Sequence, residues 1–206
     1  MLGKTHLTAG VAIAVCVMRP DTFPELLVGL GAAVVGSVIS DIDVGSSGSG
    51  RAADRIIWVS AGAVAAVAAM ERFWNVGVWD MILRNSSLLR VAAGSLGFIG
   101  VCAFGKAQPH RSFMHSFLAL GILSIIMGTV LPAAVPYFAL AFLTHLGLDL
   151  LNYKKVRILY PRREGLCFRL FHSDGAANWL LFSAGLVMGV WQVGMCVWRI
   201  LRLPYF

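Results

Sequence analysis

The chain has 206 residues, 58% of them hydrophobic and only 13% charged, with a net charge of +7. A soluble domain of this size needs roughly a quarter charged residues to solvate its surface, so this composition and the mean hydropathy of +0.78 speak against a water-soluble globule. The basic residues stand between apolar runs, where they read as topology signals and headgroup contacts; no RNA- or DNA-binding motif accompanies them, so nucleic acid is not an expected partner.

A helix crosses the hydrocarbon layer with about 17–25 apolar residues. Apolar runs fall at 5–18, 24–40, 56–70, 91–105, 113–131, 135–150 and 176–198. Several are short and imply tilt, local thinning or ends lined by protein. Lys4 ahead of the first run imitates a signal peptide, but Val15-Cys16-Val17-Met18-Arg19-Pro20 carries no small-residue cleavage pattern, and a retained first helix is expected. Residues 73–90, with Trp74, Trp79, Asp80, Arg84 and Arg90, are too polar to span and read as interfacial. Pro132 and Pro136 bracket a tight turn. Gly94, Gly97 and Gly100, and the pair Gly185 and Gly189, would let helices approach closely. Cys16, Cys102 and Cys196 lie in apolar runs and Cys167 in a basic loop, with no C-x-x-C among them, so they read as small hydrophobes. The expectation is an all-α, polytopic membrane helical bundle of six to seven transmembrane helices, forming one domain over 1–206.

Seven crossings place eleven basic residues on one side, from Lys4 through Arg51, Arg55, Lys106 and Arg111 to the loop 150–175, against six on the other. The richer side is expected to be cytoplasmic. The same topology puts His6, Asp41, Asp43, His110, His115, His145 and Asp149 at one membrane face, with His172 nearby. Ionisable groups beside membrane spans are costly and usually line a functional cavity.

His145 and Asp149, four apart, share one helical face and can chelate one ion; a hydrogen-bonded pair tying two helices together fits the spacing equally well. Asp41 and Asp43 end a helix, where the dipole disfavours anions by about 0.3–1 kcal/mol each. They call for a cation, either a metal or Arg51 and Arg55 folded back across the Gly/Ser-rich stretch 45–50. In Pro109-His110-Arg111-Ser112-Phe113-Met114-His115-Ser116, Ser112 is expected to cap a helix with His115 in its first turn and His110 reaching in from the loop. Arg111 beside that helix N-terminus suits a phosphate, although headgroup binding is the plainer task for such an arginine. His6 gains weight only from its neighbours, and His172 before Ser173-Asp174-Gly175 reads as turn chemistry. The basic run Lys154 to Arg169 reads as an anchor to anionic lipid. A mixed His/Asp set suits zinc first, with manganese and iron as alternatives, rather than calcium. Seven ligands exceed the need of one catalytic zinc, so one or two ions are expected.

Thr5-His6, Asp41-Ile42-Asp43, the His110 to Ser116 element, Thr144-His145-x-x-x-Asp149-x-x-Asn152, and Tyr160-Pro161 with Phe168-Arg169 resemble, in this order, the YdjM-type family of LexA-regulated bacterial inner-membrane proteins. The resemblance implies a helical membrane fold in the bacterial inner membrane. It also implies a metal-dependent hydrolase site at His6, Asp41, Asp43, His110, His115, His145 and Asp149. The family is grouped with all-helical zinc phospholipases C and nucleases, which implies phosphoester hydrolysis. Two positions depart: the family's aspartate pair is commonly followed by histidine, where Val44 stands, and Asn178 occupies the region where an acid is expected.

The leading expectation is therefore an integral membrane metal-dependent hydrolase acting on a lipid or lipid-linked phosphoester. His110, His115, His145 and Asp149 hold the divalent metal, and His6 and Asp41 complete the shell. Asp43 is a ligand or general base, and Arg111 steadies the phosphate. A metal or ion transporter is the second reading, and a structural membrane protein with buried polar pairs the third. Ligands gathered at one face rather than at the midplane favour chemistry over transport.

Overall fold

A computed structural model describes residues 2–47, 50–172 and 175–202. Among the described residues eight α-helices follow one another: α1 Gly3–Met18, α2 Phe23–Val38, α3 Gly50–Trp74, α4 Val78–Asn85, α5 Leu88–Lys106, α6 Phe117–Val130, α7 Val135–Leu150 and α8 Ala176–Arg202. Among the described residues five stretches are long and apolar enough to cross a membrane: Phe23–Asp43, Ile57–Trp74, Leu88–Lys106, Pro132–Leu150 and Ala176–Arg202. α1 and α6 are apolar but shorter. The all-helical membrane bundle expected from the sequence is what the chain forms. Within the stretch 73–90, between the end of α3 and the start of α5, lies the eight-residue α4. Its start is fixed by the Glu71 carboxylate, which accepts from the backbone N–H groups of Gly77 and Val78 at 3.0 and 2.9 Å.

α2 and α7 form the centre of the bundle with α1 beside them, and Tyr137, Phe138, Phe142 and Leu146 of α7 are fully buried there. α8 packs on α1, and α5 on α6. Much of α3, α5 and α8 is exposed, including Trp58, Leu96, Ile99, Val187 and Trp191, as lipid-facing surfaces require. Lipid tails are as apolar as leucine, so close packing rather than water exclusion must hold these helices together. Small residues permit it. A Cβ on Gly185 would lie 2.9 Å from the Ala9 backbone nitrogen, so the glycine lets α8 reach α1, whereas Gly189 sits in ordinary contact with Ala12. Gly36 presses α2 against the Phe138 carbonyl of α7. Gly36→Ala should cost about 1–3 kcal/mol of stability through overpacking, read as an earlier thermal transition of detergent-solubilised protein, while Gly62→Ala, which faces open space, should leave it unchanged.

The fifth apolar run departs from its expected form. Residues 113–115 make a separate 3-10 turn, and Ser116, not Ser112, caps α6 by accepting from the Ala119 N–H at 3.2 Å. The Ser112 hydroxyl is turned back onto the Pro109 carbonyl, which leaves the cap position to the next serine. His115 therefore stands ahead of the helix rather than in its first turn.

One end of the bundle collects the start of α1, the end of α2, the segment 107–116 and the end of α7. At the other end, the Arg199 guanidinium donates to the Arg19 and Pro20 carbonyls, both at 3.0 Å, and staples the α1–α2 turn to α8.

Candidate metal centre

α2 unwinds at Ile39 into a 3-10 stretch, Ile39–Ser47, that carries both aspartates. With three residues per turn, positions 41 and 43 point in different directions. They flank His115: Asp41 Oδ1 lies 3.4 Å from its Nε2, and Asp43 Oδ2 lies 3.4 Å from its Nδ1. From α7, Asp149 Oδ2 approaches His115 Nε2 at 3.3 Å, and His145 Nε2 lies 3.6 Å from Asp41 Oδ1 and 3.9 Å from Asp149 Oδ2. One ligand atom from each of Asp41, His115, His145 and Asp149 thus falls within 4.8 Å of all the others. A tetrahedral ion with bonds of about 2.0–2.1 Å separates its ligands by about 3.3–3.4 Å, close to the shorter of these spacings.

The Ser37 contact of His145 fixes which ring nitrogen faces the cluster. Its Nδ1 lies 2.7 Å from the Ser37 carbonyl at the end of α2, and a carbonyl can only accept, so the proton sits on Nδ1. Nε2 is then the ring atom that faces the carboxylates of Asp41 and Asp149. It is buried and has no hydrogen-bond partner. A bare lone pair facing carboxylates is repulsive, so a proton or a metal cation must lie between these atoms. Both nitrogens of His115 are also buried without a properly aligned hydrogen bond, despite carboxylates on either side. These atoms converge on shared points rather than on one another, and the donor set fits a divalent ion.

Charge supports the fit. Asp41, Asp43 and Asp149 bring three negative charges, and Arg111 returns one through Nη2, 3.1 Å from Asp149 Oδ1. A dication balances the remainder. With no ion present, burial disfavours a charged His115, but the carboxylates of Asp149, Asp41 and Asp43 outweigh it and hold its pKa well above the ordinary value. His115 lies in the turn ahead of α6, outside the spanning segments.

The other expected residues lie around this group. His6 stacks on His145 with ring centroids 4.0 Å apart, and its Nε2 is 3.4 Å from Asp149 Oδ1; it stands beside the four-ligand set rather than in it. Asp43, fully buried, accepts from His110 Nδ1 at 2.7 Å and from the Arg111 backbone N–H at 3.0 Å. Asp43, His110 and His115 form a second group of three ligand atoms that shares His115 with the first. The Arg111 guanidinium is engaged with Asp149 and with the Lys154 carbonyl, donated from Nη1 at 3.0 Å. His172 is away from the cluster and stacks on Tyr153 at 4.2 Å. The Arg51 and Arg55 side chains, and Ser173 and Asp174, lie outside the described residues.

Two contributors were given no role from the sequence. The Ser37 carbonyl is backbone and leaves no signature in residue type. Asn178 was visible as a polar residue opening an apolar helix: it is buried, and its Oδ1 accepts from the Thr5 hydroxyl at 2.9 Å and the Leu2 N–H at 3.1 Å. That clamp ties the start of α1 to α8 immediately before His6.

The model of one protein family, described as YdjM inner membrane protein, matches residues 1–205. No curated protein and no solved structure matches the chain.

Proposed function

Because the chain belongs to the family of YdjM inner membrane proteins, we propose that it is an integral membrane metal-dependent hydrolase cleaving a phosphoester of a membrane-associated substrate, with its site on the cytoplasmic face. The observation that carries this reading is the convergence of Asp41, His115, His145 and Asp149, whose ligand atoms lie within 4.8 Å of one another while both His115 nitrogens and His145 Nε2 have no hydrogen-bond partner. Asp41, His115, His145 and Asp149 hold one divalent ion, with zinc the first candidate for a mixed imidazole–carboxylate set. When bound, the ion supplies Lewis acidity toward a phosphoryl oxygen and toward the attacking water.

The remaining roles follow from exposure and contacts. The side chains of His115, His145, Asp43 and Asp149 are closed off, whereas those of Asp41 and His110 are 22% and 29% exposed, so substrate arrives past these two. Asp43 is committed to His110, His115 and the Arg111 N–H, which makes it a positioning residue rather than the base. His110 is the better general base: Nδ1 donates to Asp43, which leaves Nε2 to take a proton from water and return it to the leaving oxygen, while Asp43 Oδ1 stabilises the imidazolium. Behind His115, Asp43 Oδ2 stands 3.4 Å from Nδ1, where a carboxylate behind a metal-binding histidine would orient the ring. Arg111 fixes the orientation of Asp149.

Elemental analysis of detergent-purified protein, alongside turnover of a phosphodiester reporter, tests the proposal. About one zinc, manganese or iron per chain is expected, with turnover abolished by chelator and restored by metal. Metal without turnover, but with ion flux in liposomes, would give the site to transport. Protein that takes up no metal would reduce the cluster to a helix lock.

A further inference from the structure

We propose that the basic loop 151–172 is the headgroup-recognition surface of this site and selects anionic phospholipids over zwitterionic ones. This names the substrate class and rests on the hydrolase reading only for the chemistry that follows binding. The loop carries Lys154, Lys155, Arg157, Arg162, Arg163 and Arg169 against the single acid Glu164. All of these bases except the half-buried Arg157 are exposed, and among the described residues none of the six is in an ion pair. Leu159, Leu166, Phe168 and Leu170 are exposed beside them. Basic heads next to bare apolar side chains match the boundary between headgroups and acyl chains.

A topology signal requires only lysines and arginines in the chain, not a fold. This segment has one. Val156 and Leu166 exchange backbone hydrogen bonds at 2.9 Å, and Val156 and Ile158 are buried beneath the loop. The Phe168 and Leu170 N–H groups donate to the Leu150 and Leu151 carbonyls, which returns the loop onto the end of α7, directly after Asp149. Arg111 bolts it to the site: its Nη1 donates to the Lys154 carbonyl, and its own carbonyl accepts from the Arg157 N–H at 3.0 Å. The arginine that holds Asp149 therefore also holds the backbone of the basic loop. With a dication bound, the cluster itself is nearly neutral, so the attraction for an anionic headgroup must come from this rim.

The test is native mass spectrometry of the full chain in detergent with phosphatidylglycerol and phosphatidylcholine of matched acyl chains, in chelator and in zinc. Wild-type protein should retain phosphatidylglycerol at least about tenfold better in both conditions, and the preference should shrink as salt rises from about 50 to 500 mM. Combined replacement of Lys154, Lys155, Arg162 and Arg163 by glutamine should remove the preference and leave zinc content intact, since each base near an anionic surface contributes up to about fivefold. Equal retention of the two lipids, or a salt-independent preference, overturns the proposal on wild-type protein alone, whatever the variant's folding. Displacement of phosphatidylglycerol by millimolar glycerol phosphate would assign the loop to soluble phosphates and likewise overturn it. Should the wild-type chain take up no zinc while the lipid preference stands, the hydrolase reading falls and the loop's role remains.

Discussion

Asp149→Ala should empty the metal centre and unsettle the fold at the same time. One carboxylate oxygen faces His115 and His145, and the other faces His6 and Arg111. Loss of an outer partner of a metal ligand typically lowers affinity about 10–100-fold, and loss of a ligand itself should exceed that. Arg111, whose side chain is 11% exposed, would lose its counter-ion, and breaking a buried ion pair costs about 3–5 kcal/mol. The two effects separate in the double variant Asp149→Ala/Arg111→Met. Its thermal stability should recover most of the loss while its zinc content stays near zero. Should the double variant regain metal, or Asp149→Ala keep it, Asp149 is not a ligand and the proposed centre is wrong.

His110→Ala should behave in the opposite way. It should lower turnover by about 10²–10⁴-fold, the usual contribution of a general acid–base, and leave metal content unchanged, because His110 sits behind Asp43 rather than among the four converging ligands. Asp43→Asn should act on both properties, with weaker metal binding through His115 and slower turnover through His110. The decisive readout is metal content measured beside turnover. A parallel fall of both in His110→Ala would make His110 a ligand and favour a second ion shared through His115.

The helical bundle was legible because spanning a membrane leaves hydropathy little freedom: each backbone group must be satisfied within its own helix, so apolar runs map directly onto helices. Their ends were less legible. Ser112 and Ser116 are the same residue type four positions apart, and only the turn of the Ser112 hydroxyl onto Pro109 decides which one caps α6. The convergence of His6, Asp41, Asp43, His110, His115, His145 and Asp149 could be anticipated, since alternating crossings send these helix ends to one face. Their division of labour could not. Whether an aspartate meets a histidine through Nδ1 or Nε2 depends on the 3-10 twist after Ile39 and on the Ser37 carbonyl, and neither is written in residue identity. Arg111 shows the same limit: its place beside a helix start was visible, but its commitment to Asp149 and to Lys154 required the loop to be folded.

The wide spacing of the cluster's members along the chain bears on biogenesis. When α1 and α2 have been inserted, His6, Asp41 and Asp43 are already in place, but His115, His145 and Asp149 are still to be synthesised. If the cluster holds the proposed cation, its four ligands would come together only once α7 has entered the bilayer in the correct sense, because a helix inserted backwards would carry His145 and Asp149 to the opposite leaflet. On that reading the centre would form only in a chain whose helices have all threaded correctly, which would make metal content a reporter of completed insertion.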